Sequence, residues 1–478
     1  MGWIVPFVLS LAAGWFLART LTAGSWRGPR WAAVGVELAL AALYGPGLAS
    51  IGFFALTYLN AANQASAYGM TAALALSSGA AWWRFGRAEE SEADAPRAAF
   101  PWKWALLVAA VAGAGLFLLD FQTTSAANPS GEWDATAIWN LRARFLTGGS
   151  ETWRRAVSAE LGGHMTGAAH PGYPLFLSSF IAMQWISARS FTVAVPIAAS
   201  LLFSLGLWVL LTAGLASRRS VALGALGGLL LVASEVFVSQ AASQYSDLLQ
   251  GLAFLAVLLL LEATNPAKPE RMLLAAGLAS GFAPWIKNEG LPVAIAAFAV
   301  IGWKFGRRGL LWSGIGALPG LFATLALKLV AEGRESMIPA TIGEVFAKIV
   351  DVSRWWQALM GFAKAVAEAS SWWAHPLLLT AVLIAALGLR PAEERRARMW
   401  LWIPVAAAVA AEYGLYLVTT AELAWHISTS VGRLLAQVWP ALIWLALMQA
   451  RVPEEHYAVA EVVPAREADG KKRKRVRG

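Results

Sequence analysis

Apolar runs long enough to cross a bilayer recur along the whole of this chain, as in Trp31 to Tyr58, Ala65 to Trp83 and Leu310 to Val330. Runs of about 18 or more apolar residues are the mark of transmembrane helices. The composition agrees: of 478 residues, 58% are hydrophobic and 14% are charged, with a mean hydropathy of +0.56. A soluble chain carries roughly a quarter charged residues. The short alternating segments of a membrane β-barrel are absent. The expected fold class is therefore an all-α polytopic membrane protein.

Taken in order, the runs give about 13 spans. Arg19, Arg27 and Arg30 follow the first run, which places the N-terminus outside and leaves the first helix as a retained span. Arg and Lys then mark the cytoplasmic loops, and the C-terminus falls inside. Leu175 to Ile186 is too short to span comfortably and is read as an interfacial segment, with a tilted span as the alternative. Three parts result: a three-span segment with a cytoplasmic linker over residues 1–103, a membrane domain over 104–450, and a basic, disordered cytoplasmic tail over 451–478. External loops are expected at about 120–174, 331–374 and 419–432. The second of these is amphipathic and carries the tryptophan pairs Trp355–Trp356 and Trp372–Trp373, which read as interfacial anchors.

The net charge of +9 has a topological reading, since the tail KKRKRVR at Lys471 to Arg477 supplies much of the excess. Such a tail suits anionic lipid headgroups, and no nucleic-acid partner is expected. The absence of cysteine removes disulfides and thiolate metal sites. With five histidines and no HxxxH spacing, a His-rich metal site is not expected either.

The longest polar interval in the first half runs from Asp120 to Pro174 and gathers Glu132, Trp133, Asp134, Trp139, Arg142, Arg144, His164 and His170. Connections between elements are usually short, so this stretch is the expected seat of chemistry. Loop parity puts five polar clusters on one face. These are GEWDATAIWNLRAR at Gly131 to Arg144, HPGYP at His170 to Pro174, SQYSD at Ser243 to Asp247, WIKNEG at Trp285 to Gly290, and AWHISTSVGR at Ala424 to Arg433. Each residue also has a plainer reading. Asp134 and Asp247 could cap the helices that follow them. Lys287 and Arg433 could snorkel to headgroups, with Glu289 merely pairing Lys287. His170 could be a loop residue satisfied by backbone. Ionisable groups near membrane depth default to function, and their convergence on one face favours a site.

Such a set suits group transfer from an anionic lipid carrier. A carboxylate accepts the proton of an attacking hydroxyl. Cations and a histidine hold a phosphate as leaving group. Interfacial aromatics and an apolar groove would receive a long polyprenyl chain. A soluble sugar nucleotide would require a globular nucleotide-binding domain, and the sequence has none.

The arrangement resembles the superfamily C glycosyltransferases (GT-C), which include protein O-mannosyltransferases and the aminoarabinose transferases of lipid A. The likeness spans roughly Trp104 to Leu447 in architecture and only short motifs in sequence. Trp133–Asp134 with the following WNLRAR matches the acidic motif of the first large external loop, with Glu132-x-Asp134 in place of adjacent acids. His170–Pro171 is similar to the His-Pro-Pro element of protein mannosyltransferases, with Gly172 replacing the second proline. Tyr245-Ser246-Asp247 resembles a second acidic element, and Lys287-Asn288-Glu289-Gly290 and Trp425-His426 with Arg433 look like motifs of bacterial members.

The resemblance implies a polyprenyl-phosphate sugar donor, transfer with inversion to a glycan, lipid or protein hydroxyl, Asp134 as base, and Asp247 shaping the acceptor or phosphate site. Glu132, Arg142, His170, Tyr245, Lys287, Glu289, His426 and Arg433 complete the candidate donor-phosphate and substrate ligands. No cofactor is expected, while Glu132-x-Asp134 keeps a divalent ion, Mg or Mn, open. The expected location is a bacterial inner membrane with the site facing the periplasm or exterior. A transporter or flippase of a lipid-linked or polar substrate is the rival reading, and a polysaccharide ligase or polymerase the second.

Overall fold

The computed structural model describes residues 2–86, 101–158, 170–332 and 337–455, without the side chains of Ser150, Glu151 and Trp373. His164, the centre of the 84–103 linker and the basic tail from 456 onward lie outside the described residues. Among those described the chain is helical, and one isolated bridge, Leu389 to Ala450, is its only β pairing.

The first helices are α1 (Ile4–Thr22), α2 (Arg30–Tyr58), α3 (Gln64–Phe85) and α4 (Lys103–Ala127). A π-helical turn, Ala135–Trp139, leads into α5 (Asn140–Leu146), followed by α6 (Gly149–Arg155) and α7 (Phe176–Ala188). Then come α8 (Ala194–Arg218), α9 (Val221–Val232), α10 (Glu235–Ala242), α11 (Asp247–Ala263), α12 (Glu270–Ile286) and α13 (Gly290–Val330). The remainder is α14 (Ile342–Val350), α15 (Val352–Ala367), α16 (Pro376–Leu387), α17 (Ala392–Arg396), α18 (Trp402–Val418) and α19 (Leu423–Gln449).

Seven helices are long and apolar enough to cross a membrane, or eight if α9 and α10, bent by 67° at their junction, count as one. The polytopic all-α class therefore holds at this coarser level. The longest, α13, is two helices: Gly306 (φ 60°, ψ −157°) breaks it into 290–305 and 307–330. The chain reverses there, because Lys328 near the far end donates to the Asn288 side chain just before the start (2.8 Å).

At the centre stands α11, with 16 of its 17 residues buried against α8, α12 and α19. Its run of leucines is apolar all round, as a helix enclosed on every side must be. Against α12 packs the second half of α13, along a seam of Gly277 and Gly281 facing Gly316 and Gly320. A Cβ on Gly277 would lie 2.0 Å from the Ser313 carbonyl oxygen, and one on Gly320 2.1 Å from that of Gly281. Small residues four apart let two membrane helices approach this closely.

Three boundaries differ from the sequence expectation. Helix α4 continues to Ala127, so the polar excursion begins at Asn128. The segment read as interfacial, α7, has 11 of its 13 residues buried and packs on α2, α5 and α8, so it belongs to the protein interior. The 419–432 loop is mostly helix, since α19 starts at Leu423 with the Glu422 carboxylate accepting from the Ala424 and Trp425 amides. That capping is a strong helix start the apolar run alone does not mark. Helices α14 and α15 are amphipathic: Ile342, Phe346, Val352 and Trp356 are exposed, while Ala358 and Phe362 pack against α18 and α19.

The bundle has two unlike ends. At one, Glu262 accepts from both Arg218 (2.6 Å) and Arg398 (3.4 Å), and Arg308 pairs with Glu270. At the other, the start of α11, the end of α12 and α18, and the start of α19 surround a cavity.

Candidate active site

The cavity encloses about 890 Å³ and is walled by residues from every polar cluster read in the sequence. Glu132, Asp134, His170, Tyr245, Asp247, Lys287, Glu289, His426 and Arg433 all line it. One predicted ligand does not. Arg142 is fully buried behind the wall and donates to three carbonyls, those of Ala156 (2.9 Å), Tyr173 (2.6 Å) and Pro171 (3.0 Å). A rigid guanidinium fork suits this role, which is to shape the HPGYP loop rather than to bind phosphate.

Two loops meet to form the acidic wall. Gly131, at φ +76°, lies so close to the neighbouring loop that a Cβ would come within 2.7 Å of the Ser243 carbonyl oxygen. The Glu132 amide donates to that same oxygen (3.1 Å), and Asn140 donates to the Gln244 side chain (3.1 Å). Gln244 itself has φ +60°, an uncommon value for a non-glycine residue, held by these contacts. The π turn follows Asp134 directly, with the Asn140 amide reaching back to the Ala135 carbonyl. Asp134 makes no side-chain cap there, so its capping reading fails; its backbone N–H donates to the Tyr245 hydroxyl (3.1 Å). Its carboxylate is taken by Arg433, which also lies 5.1 Å from the Tyr245 ring centre.

On the floor, Lys287 bridges Asp247 (3.0 Å) and Glu289 (3.3 Å), and Gln437 donates to the same Asp247 oxygen (2.6 Å). Neither Lys287 nor Arg433 snorkels, and Asp247 spends its carboxylate on tertiary partners rather than a cap. Burial opposes the charge on Lys287, but Asp247 and Glu289 outweigh it and hold its pKa above the ordinary lysine range. Tyr245 is pushed up to about 12, chiefly by burial, and so stays a hydroxyl.

The third wall is aromatic. His170 (φ +43°) stacks on Tyr173 with centroids 4.6 Å apart, and Tyr173 stacks on Trp139 at 5.9 Å. Burial lowers the His170 pKa, more than Asp134 and Glu289 raise it, so the ring is neutral near pH 7. His426 bonds Thr419 (3.0 Å), and Tyr416 bonds Ser430 (2.7 Å). Trp133 and Trp425 stand exposed at the rim.

Sequence reasoning missed Gln437, Ser430 and Tyr416. The signal was present: His426, Ser430, Arg433 and Gln437 fall at i, i+4, i+7 and i+11, one face of a helix, once 423–449 is read as continuous. Among the described residues no three His, Asp or Glu side chains converge to hold a metal ion. The Asp134 and Asp247 carboxylates are already engaged by cations, so this donor set does not fit a divalent ion and no step below runs through one. No protein-family model, no curated protein and no solved structure matches this chain.

Proposed function

We propose that this chain is an integral membrane glycosyltransferase of the GT-C kind, moving a sugar from a polyprenyl-phosphate donor to an acceptor hydroxyl. The observation that carries the reading is the meeting of Asp134, Arg433, Lys287 and His170 in one cavity at one end of the helix bundle. On this reading the helices cross the membrane about thirteen times, with α7 excluded and α13 counted twice. On the same reading the end that carries Arg218, Arg308 and Arg398 faces the cytoplasm and the cavity faces the outside of a bacterial inner membrane.

Charge sets the order of events. Four carboxylates line the cavity against two cations, and both cations are paired. A donor phosphate therefore binds by drawing Arg433 away from Asp134. That exchange frees the base at the moment the donor arrives. The acceptor oxygen then bonds to the sugar anomeric carbon as the bond from that carbon to the phosphate oxygen breaks. The hydroxyl proton passes to Asp134, and the electron pair stays on the phosphate beside Arg433. Neutral His170 donates a hydrogen bond without adding charge, and Asp247 keeps Lys287 in place.

The test is transfer from a panel of radiolabelled polyprenyl-phosphate sugars in membranes holding the chain. Label entering product supports the reading. The transporter reading draws on one observation, a buried carboxylate on α18 beneath the cavity, Glu412. It predicts that the labelled lipid crosses the bilayer unchanged.

A further inference from the structure

One helical turn beneath the cavity lies a polar layer that the transfer chemistry leaves unused. Phe254 on α11, Val293 on α13, Ala408 on α18 and Val438 on α19 pack as one apolar cluster. One turn nearer the cavity, those helices carry Gln250, Glu289, Glu412 and Leu434. Gln437 joins from the next position along α19, with the preceding Ala436 and its own carbonyl against Gly251. Gln250 and Gln437 are wholly buried and Glu412 is 3% exposed.

Their oxygens have no partners. Both carboxylate oxygens of Glu412, Oε2 of Glu289 and the amide oxygens of Gln250 and Gln437 are buried without a hydrogen bond. Orphaned acceptors at membrane depth are costly, and these five oxygens come from α11, α19, α18 and the residue that opens α13, helices that pack in a ring.

From this arrangement we propose that the layer is a binding site for a monovalent metal cation of sodium size, formed by Glu412, Glu289, Gln250 and Gln437. Hard oxygen donors of carboxylate and amide type suit such an ion. Charge selects the valence. Glu412 interacts electrostatically with Glu289, Asp247 and Lys287. Replacing the proton of the Glu412 carboxyl by a monovalent cation leaves the net charge of this buried layer unchanged, which a divalent ion would not. The ion enters through the cavity, which Glu289 lines. Bound there it fixes Glu289, and through it the Lys287 bridge.

The experiment is thermal unfolding of the purified full-length protein in sodium, potassium or choline chloride at equal ionic strength, with ²²Na⁺ binding measured alongside. A ligand that binds only the folded state raises Tm in a saturable way. The expected result is a rise of a few degrees in sodium over choline, stoichiometric ²²Na⁺ binding, loss of both in Glu412→Gln and weakening of both in Gln250→Met. Identical unfolding of the wild type in sodium and choline overturns the proposal. So does ²²Na⁺ binding that survives both substitutions, or a Tm that follows pH alone, which would mark Glu412 as a proton site.

Discussion

Asp134 and Arg433 hold each other across the cavity, so the two residues fail differently when changed. Asp134→Asn keeps the shape and removes the proposed base, and transfer is expected to fall by roughly 10²–10⁴-fold. Arg433→Gln removes the phosphate partner and should raise the donor KM more than the acceptor KM; the opposite pattern argues against phosphate binding. Arg142 acts at one remove. Arg142→Ala leaves three carbonyls without their donor and should lower stability by roughly 2–4 kcal/mol. Arg142→Lys should not rescue, because an ammonium lacks the fork that reaches all three. His170 carries a pH signature. Its folded pKa lies below the ordinary 6.5, so the folded state binds its proton less readily than the unfolded chain. Its contribution to stability is full above about pH 6.5 and is lost as pH falls through the lowered folded value. Tm measured against pH should show an acid-side decline that is smaller in His170→Gln.

At the scale of elements, the α12–α13 seam holds the KNEG turn against the bundle. Gly277→Val would force Cβ atoms into the Ser313 carbonyl, and overpacking of this kind costs about 1–3 kcal/mol or more. A lower Tm and poorer yield are expected, together with reduced transfer, since Lys287 sits where α12 ends. These elements also show what was legible in the sequence. Charge alternation along the loops brought Asp134, His170, Tyr245, Asp247, Lys287, Glu289, His426 and Arg433 to one side, because each polar cluster ends a bilayer-length run. Hydropathy is blind to direction within a helix. It therefore cut α19 short at Gly432, although Glu422 caps it ten residues earlier, and it hid Gln437. It also gave no sign that Arg142 turns inward to loop carbonyls, a long-range contact set by the HPGYP segment some thirty residues later. Glu412 sits within an apolar helix, where a single carboxylate barely lowers the mean hydropathy of seventeen residues.

Across the whole molecule, the cavity and the Arg-rich cluster lie at opposite ends, and the absence of cysteine makes the orientation directly measurable. Single substitutions Trp133→Cys and Arg308→Cys place one exposed thiol at each end. A membrane-impermeant thiol reagent should label the first from outside intact cells and the second only after lysis. Labelling in the reverse order would move the site to the cytoplasmic face and with it the source of its donor. The central claim, that this cavity performs transfer with Asp134 as base, is tested most directly by measuring donor binding and sugar transfer on the same Asp134→Asn preparation. The account predicts that the folded variant binds the polyprenyl-phosphate sugar at least as well as the wild type, with Arg433 released to the phosphate, and transfers almost none of it. Transfer at the wild-type rate by a folded Asp134→Asn protein would contradict it.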